Sequence, residues 1–464
     1  MAGFNPALAG HHQSRLTFSN PALPLIIFFG GFPIWWAMGL GTLGFLLMAV
    51  PLTYHLLRQR KIRVPAGFGI WLLFLAILLL GALILWSPVP GLLSEMGVSR
   101  LAPWGYRVIW FSAVTVVFLF IGNTDERVLP RKWLILLMAW MFCLTVAGGY
   151  AGQLLWQHEF RSVLEIILPR SLTSNVFLGS LIHPGLAQVQ DILGYSEPRP
   201  KAPFDYANSW GANYGLLLPF YLMSFRYVRT AIHKTVFVAI LVAAVPPAIF
   251  SLNRGLWAGL GVLVVVVLIR QAINAQWFTV LGTVAIGALA FTVLYFSPLW
   301  GLIQTRLANP HSNEGRSNLA DISVETVLAN SPLIGFGSTR QRQGNFFSIA
   351  SGATADCHQC SPPQLGTQGS LWYLIFCTGI FGLALFVWFI VRRTKAVITK
   401  TETWATPLVY PVVFFACILP VYDLVGSPLM ILMITLALIW RFEQQQGTVP
   451  DRPERTRHGQ ADAL

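Results

Sequence analysis

The stretch "SLNRGLW" (251–257) contains an arginine suited to binding an anion. Arg254 lies between Asn253 and Gly255, and no other side chain from position 246 to position 269 can ionise. A guanidinium donates paired hydrogen bonds to phosphate oxygens and stays charged where water is scarce, and a neighbouring glycine lets a ligand approach the backbone. The stretch therefore predicts a clamp for a diphosphate, with Asn253 as a substrate-binding residue. The alternative is that Arg254 only snorkels to lipid phosphates.

A second arginine, Arg316, begins the stretch "RSNLADISVETVLANSPLIGFG". The spacing predicts a helix that starts just after Arg316 and stops at Ser331-Pro332, with an apolar face formed by Ala320, Val324, Val327 and Leu328. An arginine and helix amides that point the same way would form an anion site. The acidic pair Asp321 and Glu325 lies four residues apart on this helix and offers a general base. The alternative is a loop whose charges are merely solvated.

The same stretch continues into a predicted tight turn at Gly335 and Gly337, which leads to two further arginines. We assign these two, Arg340 and Arg342, to substrate binding. Further on, "DCHQC" holds His358 between Cys357 and Cys360. The histidine is a candidate general base because its pKa lies near neutrality, although a lone loop histidine is more often only solvated. A single C-x-x-C lacks the second ligand pair of a structural zinc site, which favours a disulfide outside the cytoplasm.

The composition decides what must position these residues. The 464-residue chain is 55% hydrophobic and 11% charged, and about 20 apolar residues span a bilayer as a helix. A soluble protein could not bury so much apolar surface, so we predict an all-α, polytopic membrane protein. Apolar segments recur near 22–37, 40–57, 67–87, 106–122, 132–150, 208–225, 235–251, 255–269, 277–296, 369–391, 405–422 and 426–441. The first two are separated only by Gly39 and Gly41 and are also consistent with one broken element.

Basic residues orient these twelve predicted spans. With both termini in the cytoplasm, the inner connectors and tails carry 20 of the 31 basic and 7 of the 18 acidic residues, which leaves 11 of each outside. The whole net charge of +13 is then cytoplasmic, as the positive-inside rule expects, and no nucleic acid is needed to explain it. The predicted organisation is a cytoplasmic tail (1–21), spans 1–9 (22–296) with an outer loop (151–207), a large outer loop (297–368), spans 10–12 (369–441) and a disordered cytoplasmic tail (442–464).

The outer loop at 151–207 contains "HEFRSVLEIILPRSL", in which Phe160, Val163, Leu164 and Ile167 share one helical face. This pattern predicts a helix near 158–167 that lies in the membrane interface, and a lid packed on the bundle fits it equally well. Elsewhere no D-x-D pair, H-E-x-x-H, P-loop or Rossmann glycine pattern occurs. Their absence argues against a metal-dependent nucleotide-sugar enzyme and against an ATPase.

Taken together, these motifs resemble the bacterial O-antigen ligase and polysaccharide polymerase family of membrane glycosyltransferases, over roughly residues 200–440. "SLNRGLW" resembles the family's S-R-G-type motif at an outer helix end, with Arg254 as its arginine. "GRSNLADISVETVLANSPLIGFG" resembles the arginine and P-L-x-G-x-G turn of its large outer loop, with Arg316 in place. The chain departs from the family where His358 is followed by Gln359 rather than asparagine. The "CHQCSPPQLGTQGSLW" stretch looks like a variant seen in actinobacterial relatives.

The resemblance implies glycan transfer from a polyprenyl-diphosphate lipid to a glycan or lipid acceptor at the outer face of the cytoplasmic membrane. Arg254 and Arg316 would neutralise the departing diphosphate, so neither a metal nor another cofactor is needed. His358, Asp321 or Glu325 would deprotonate the acceptor hydroxyl. The expected partners are the lipid-linked donor, the acceptor and membrane lipids. A transporter or flippase of an envelope glycolipid is the main alternative, and a scaffold subunit is a third.

Overall fold

The structure, a computed structural model, describes residues 20–93, 100–174, 176–190, 195–308, 311–342, 346–347, 360–398 and 403–447. His358 and Cys357 lie outside the described residues, as do most of the N-terminal tail and the chain after position 447. The predicted tails, the role of His358 and the Cys357–Cys360 disulfide therefore stay predictions.

The N-terminal part of the chain is helical wherever the sequence is a long apolar run. The first helices are α1 (Leu23–Gly30), α2 (Phe32–Ala37), α3 (Leu43–Leu57), α4 (Phe68–Leu80), α5 (Leu101–Asn123) and α6 (Arg131–Leu154). A 3₁₀ turn at Gly81–Ile84 extends α4. The break between α1 and α2 falls at Gly31, so the first predicted span is itself two short helices.

The middle of the chain alternates short surface elements with long helices. In order these are α7 (Val163–Ile167), α8 (Arg170–Thr173), α9 (Val176–Ile182), β1 (Ala187–Gln190), β2 (Glu197–Pro200), α10 (Ala207–Ser224), α11 (Ala231–Ala243), α12 (Val245–Phe250), α13 (Arg254–Ile273) and α14 (Trp277–Tyr295). Strands β1 and β2 form an antiparallel pair in which Ala187 faces Pro200 and Gln190 faces Glu197.

The C-terminal part contains α15 (Leu299–Ala308), α16 (His311–Asn330), β3 (Arg340–Gln341), β4 (Phe346–Phe347), β5 (Cys360–Ser361), β6 (Gln364–Leu365), α17 (Ser370–Ile398), α18 (Val409–Ile418) and α19 (Ser427–Gly447). Strand β3 pairs with β6 and β4 pairs with β5, both antiparallel. Helix α17 is broken at Gly379, whose φ of +69° is left-handed.

The prediction of a mostly helical chain is confirmed, and the helices suit a membrane protein. Among the described residues, seven helices are long and apolar enough to cross a membrane. They coincide with seven of the predicted spans: Leu101–Asn123, Arg131–Leu154, Ala231–Phe250, Arg254–Ile273, Trp277–Tyr295, Ser370–Ile398 and Ser427–Gln446. The other five predicted spans coincide with shorter or less apolar helices, so the number twelve stays a prediction.

Helices α10 and α19 form the centre of the bundle. Helix α10 packs against α6, α13, α18 and α19, and α19 also contacts α5 and α17. In an 18-residue stretch of α19, 89% of the residues are buried. Helix α14 has no buried residue and lies at the edge of the bundle. The two central helices therefore support the segments that precede them in the chain, which are 201–206 before α10 and 419–426 before α19.

Candidate functional site

The turn that carries Arg254 connects α12 to α13 and is stabilised by side-chain hydrogen bonds. Asn253 begins α13, where its Oδ1 accepts a hydrogen bond from the backbone N–H of Leu256 at 2.9 Å. The hydroxyl of Tyr422 donates to the same Oδ1 and accepts from the backbone N–H of Gly255 at 3.0 Å. Asn253 is fully buried, so in this structure it caps the helix and orients Tyr422.

Glycine at position 255 is required by packing. A Cβ atom there would overlap the ring of Tyr422, since this ring lies directly against the backbone of the turn. The neighbouring Leu252 adopts a left-handed φ of +52°, which is uncommon for a branched residue. The tight turn thus places Arg254 in the first turn of α13 beside Tyr422.

Two buried arginines that the sequence analysis did not select hold the carbonyl groups of this turn. Arg199 of β2 donates from Nε to the carbonyl of Ser251 at 2.8 Å. Arg306 of α15 donates from Nε to the carbonyl of Leu252 at 3.2 Å. Their relative exposures are only 6% and 5%, so both guanidinium groups are largely removed from water.

Arg316 of α16 also lies close to this turn, next to Tyr422. Its Cζ atom lies 5.8 Å from the centroid of the Tyr422 ring, within the range of a cation–π contact. It also interacts electrostatically with Arg254. The four arginines Arg199, Arg254, Arg306 and Arg316 are called the arginine cluster from here on.

The arginine cluster is a site of concentrated positive charge. The pKa of Arg199 is lowered to about 10, mainly by burial and to a smaller extent by the charges of Arg316 and Arg254, while Tyr422 opposes the change. Burial likewise lowers the pKa of Arg306 to about 10, with repulsion from Arg254, Arg199 and Arg316. Arg199 and Arg306 therefore remain protonated at neutral pH. A dianion or trianion would relieve their mutual repulsion, and the arginine fork matches phosphate oxygens.

One expectation about Arg316 is wrong. Helix α16 begins at His311, so Arg316 lies in its second turn rather than just before its start. In the sequence, Pro310 comes directly before the helix. A proline disfavours the helical conformation in the residue before it, so helices tend to start at or just after a proline. The free amides of the helix start therefore lie away from Arg316. Any anion bound here would be held by side chains.

The acidic pair on α16 points to solvent. Asp321 and Glu325 are both exposed, while Ala320 and Val327 are buried as predicted. Leu328, predicted on the buried face, is 54% exposed. Asp321 is about 140° around the helix from Arg316, because five residues are about 1.4 turns. The structure thus does not bring Asp321 together with the arginine cluster.

Helix α16 is fixed in place by the glycine turn that follows it, which confirms the predicted stop and turn. The helix ends at Asn330, and Gly335 and Gly337 adopt positive φ angles of +65° and +77°. The backbone N–H groups of Phe336 and Gly337 donate to the carbonyls of Phe376 and Cys377 at 2.8 and 3.0 Å. These carbonyls lie just before the break in α17 at Gly379. The turn therefore inserts into the broken helix and anchors α16.

Arg340 and Arg342 lie apart from the arginine cluster. Arg340 is buried and donates from Nη1 to the carbonyl of Ser87 at 2.6 Å and from Nη2 to that of Ile84 at 2.9 Å. It therefore caps the 3₁₀ turn at the end of α4. Arg342 is exposed, and its backbone N–H donates to the carbonyl of Pro363 at 2.8 Å.

Asp423 follows Tyr422 in the chain and is a further charged residue that the sequence motifs did not indicate. Asp423 forms a bidentate ion pair with Arg107 of α5, with N–O distances of 3.0 and 2.7 Å. Burial would raise the pKa of the Asp423 carboxyl, but the Arg107 guanidinium holds it below its usual range. This pair fixes the 422–423 segment and hence the ring of Tyr422.

Asp205 lies in the short loop between β2, which carries Arg199, and α10. Its Oδ1 accepts a hydrogen bond from the backbone N–H of Tyr206 at 3.1 Å. Burial raises the pKa of the Asp205 carboxyl, and the charge of Asp423 raises it further, while a hydrogen bond with Ser209 opposes the change. Asp205 also lines a surface depression together with Trp36, Gly41 and His183. It is therefore a partly buried acid with the raised pKa that a general base needs.

The signals for these residues were faint in the sequence. Arg306 and Asp423 are isolated charges, whereas Arg199 and Asp205 lie in the charged stretch "EPRPKAPFD" (197–205). Nothing in the spacing of these four residues relates them to Arg254. Among the described residues, no three His, Cys, Asp or Glu side chains are placed to share a metal ion. Comparison with protein-family models and with curated proteins finds no match to the chain, so its resemblance to the O-antigen ligase family rests on the motifs and the arrangement of its residues alone.

Proposed function

We propose that the protein is a membrane glycosyltransferase that moves a glycan from a polyprenyl-diphosphate carrier to a lipid or glycan acceptor, as O-antigen ligases and polysaccharide polymerases do. One observation carries this proposal. The arginines of β2, α13, α15 and α16 converge on the Arg254 turn next to Tyr422, at the end of a membrane-length helix. A lipid-linked diphosphate is the anion that would reach such a place from within a bilayer.

The proposed topology has twelve spans in the cytoplasmic membrane, with both termini in the cytoplasm. The loops at 151–207 and 297–368 then lie outside, and together they supply Arg199, Arg306 and Arg316. The arginine cluster would face the outer leaflet, where a translocated lipid-linked glycan presents its diphosphate. The asymmetry of basic residues between the two sides supports this orientation.

In the proposed reaction an acceptor hydroxyl attacks the anomeric carbon of the donor sugar. The new bond joins the acceptor oxygen to that carbon, and the bond from the carbon to the diphosphate oxygen breaks. The polyprenyl diphosphate leaves with the electron pair of that bond. Arg254 and Arg316 would stabilise this charge as it develops, while Arg199 and Arg306 hold the turn and add to the positive potential. The leaving group is already activated, so the arginines supply the main catalytic effect.

The proton of the acceptor hydroxyl needs a base. Among the described residues, Asp205 is partly buried and has a raised pKa, and it interacts electrostatically with Asp423, the chain neighbour of Tyr422. Asp321 is exposed and turned away from Arg316, which makes it a weaker candidate. His358 stays a candidate from the sequence. We therefore propose Asp205 as the first base to test.

A transporter or flippase is the second candidate, because one observation favours it. Helix α17 is discontinuous at Gly379, whereas Pro219 lies inside the central helix α10 without breaking it. Transporters commonly bind their substrates at such breaks. In this chain, however, the break at Gly379 is filled by backbone hydrogen bonds from the turn at 332–337. The break thus has a structural partner, which favours the transferase.

An assay with purified protein in nanodiscs separates the two functions. The donor would be a polyprenyl-diphosphate glycan with a radiolabel in the sugar, offered with a panel of lipid and glycan acceptors. For a transferase, the label moves to an acceptor and unloaded polyprenyl diphosphate appears in equal amount. A protein that leaves the label on its carrier with every acceptor, but moves the labelled lipid between leaflets of proteoliposomes, is a flippase instead.

A further inference from the structure

The segment that follows α6 has its polar and apolar sides reversed relative to a soluble protein. Ser162 is fully buried and caps α7, where its hydroxyl accepts from the N–H of Glu165 at 3.1 Å. The Glu165 carboxylate accepts from the N–H of Ser162 at 2.7 Å and pairs with the imidazole of His183 at 3.0 Å. The polar side chains of this short helix are thus turned toward the protein.

Further contacts hold the segment in this orientation. The backbone N–H of Leu164 donates to the carbonyl of Met38 at 3.2 Å. A Cβ atom at Gly39 would lie 2.5 Å from the hydroxyl oxygen of Ser162 and 2.7 Å from the carbonyl oxygen of Ile182. The segment therefore packs closely on the 38–39 turn and on the end of α9, and it cannot rotate its apolar side inward without breaking these contacts.

Apolar side chains cover the outward side. Relative exposure is 66% for Ile166 and 70% for Ile167. It lies between 36% and 45% for Trp156, Phe160, Val163 and Leu172. These six side chains are called the exposed apolar surface. Exposing such groups to water costs about 25 cal/mol per Å² of apolar area. So many exposed apolar side chains within one short segment indicate an apolar neighbour.

The position of this surface identifies the neighbour. It begins two residues after Leu154, the last residue of a membrane-length helix, so it lies where that helix leaves the bilayer. Two exposed arginines, Arg161 and Arg170, flank Ile166 and Ile167 on either side in the sequence. Aromatic, aliphatic and basic residues in this combination are typical of segments that lie in the membrane interface.

We propose that the exposed apolar surface inserts into the interface of the phospholipid bilayer, with Ile166 and Ile167 among the acyl chains. Arg161 and Arg170 bind the phosphates of anionic headgroups. The predicted helix near 158–167 is wrong over its first half, because only Val163–Ile167 is helical and Ser162 caps its start. Of the two possibilities that the sequence left open, an interfacial segment and a lid, the orientation of the side chains supports the first. This inference does not depend on the proposed function.

The test measures membrane depth directly. In a chain whose five cysteines are replaced, Ile166→Cys carries a polarity-sensitive fluorophore, and Glu325→Cys, an exposed acidic position on α16, carries the same label as a control. Both proteins are placed in nanodiscs of zwitterionic and of anionic phospholipid. We expect blue-shifted emission and strong quenching by nitroxide-bearing lipids at position 166, and quenching by aqueous iodide at position 325.

Each result decides the proposal. Equal iodide quenching at both positions would place the surface in water and overturn it. Blue-shifted emission without quenching by nitroxide lipids would mean that protein, such as a second copy of the chain, covers the surface, and would also overturn it. Introducing Arg161→Glu and Arg170→Glu should reduce the lipid quenching at position 166 more in anionic than in zwitterionic nanodiscs. If the two substitutions change the lipid quenching equally in anionic and zwitterionic nanodiscs, the arginines do not bind anionic headgroups.

Discussion

Buried arginines occur at both ends of the bundle, but their surroundings differ. Arg441, near the end of α19, donates to the carbonyls of Ile121, Thr124 and Leu129 at 2.7, 2.6 and 2.7 Å. At the other end, Arg199 donates to the carbonyl of Ser251 and to the side-chain oxygens of Gln190 and Asn208. Arg306 donates to the carbonyl of Leu252, and both arginines are repelled by the other arginines of the cluster. The two ends are about 20 Å apart, since 14 residues separate Ser427 from Arg441 along α19.

This comparison shows that burial alone does not identify a functional arginine. Arg441 fills a set of carbonyl acceptors at the ends of α5 and α6, which makes it a structural bridge between helices. In the arginine cluster the positive charges repel one another, and a bound anion would relieve this repulsion. Residues that lower the stability of the free protein are typical of binding sites. The variants below should therefore affect catalysis at one end and folding at the other.

Arg254→Ala should have the largest effect. Loss of one charge-assisted contact to a developing anion lowers the rate by about 10²–10³. Arg254→Lys keeps the charge but loses the paired hydrogen bonds, so it should be badly impaired, though less than alanine. Glycan transfer by purified protein, compared at equal protein concentration, measures both effects.

Arg229→Ala is the matched control, because Arg229 is an exposed arginine that comes just before α11, whereas the Arg254 turn follows α12. It should transfer glycan at the wild-type rate, and all three variants should insert into the membrane normally. If lysine and alanine at position 254 both retain nearly full activity, Arg254 only anchors the helix end in lipid.

Asp205→Asn should lower the rate by about 10², the lower range for loss of a general base. The wild-type rate should fall as the pH drops through the raised pKa of Asp205, because the protonated acid cannot accept the proton of the acceptor. That decrease should occur above the usual aspartate pKa of about 3.9. In Asp205→Asn the residual rate should not decrease over this pH range. A pH profile with the same acid limb in both proteins would assign the base to another group, such as His358.

Arg441→Met should affect stability instead. It leaves the carbonyls of Ile121, Thr124 and Leu129 without their donor, and each buried unsatisfied acceptor costs about 1–3 kcal/mol. Methionine fills much of the same volume, so the loss is mainly of hydrogen bonds. Thermal unfolding in detergent should occur at a clearly lower temperature than for Arg229→Met, whereas transfer per folded molecule should be unchanged. A normal unfolding temperature would mean that water or nearby polar groups satisfy these carbonyls.

The contrast between the two ends also explains what the sequence could predict. Long apolar runs predicted the membrane-length helices, since the length of a run nearly determines the helix. Arg254 and Arg316 were predicted because each lies in a local motif with glycines or a turn. Arg199 and Arg306 lie 55 residues before and 52 residues after Arg254, and only tertiary packing brings their Nε atoms to adjacent carbonyls. Tyr422 likewise approaches Gly255 from the far end of α18.

Helix α16 shows a second limit. Its apolar pattern predicted a start after Arg316, but the polar residues at 311–315 are helical too, and the helix extends one and a half turns earlier. Polar residues at the start of a helix carry no periodic signal, so the boundary depends on where the preceding proline lies. Because of this shift, Arg316 lies on the side of the helix rather than at its end, and its guanidinium contacts the ring of Tyr422 from there.

Tyr422→Phe should have the smallest effect and tests how the arginine cluster is organised. Phenylalanine keeps the ring that packs on Gly255 and faces Arg316, but it removes the hydroxyl that joins Asn253 to the backbone of the turn. One neutral hydrogen bond contributes about 1 kcal/mol, which corresponds to a rate loss of roughly fivefold. Because Leu256 still donates to Asn253, α13 should start at the same residue and the unfolding temperature should change little. Steady-state transfer at varied donor concentration, with unfolding measured in parallel, checks both statements. A loss as large as that of Arg254→Ala would mean that the Tyr422 hydroxyl takes part in the chemistry, and that positive charge is not the main catalytic feature of this end of the bundle.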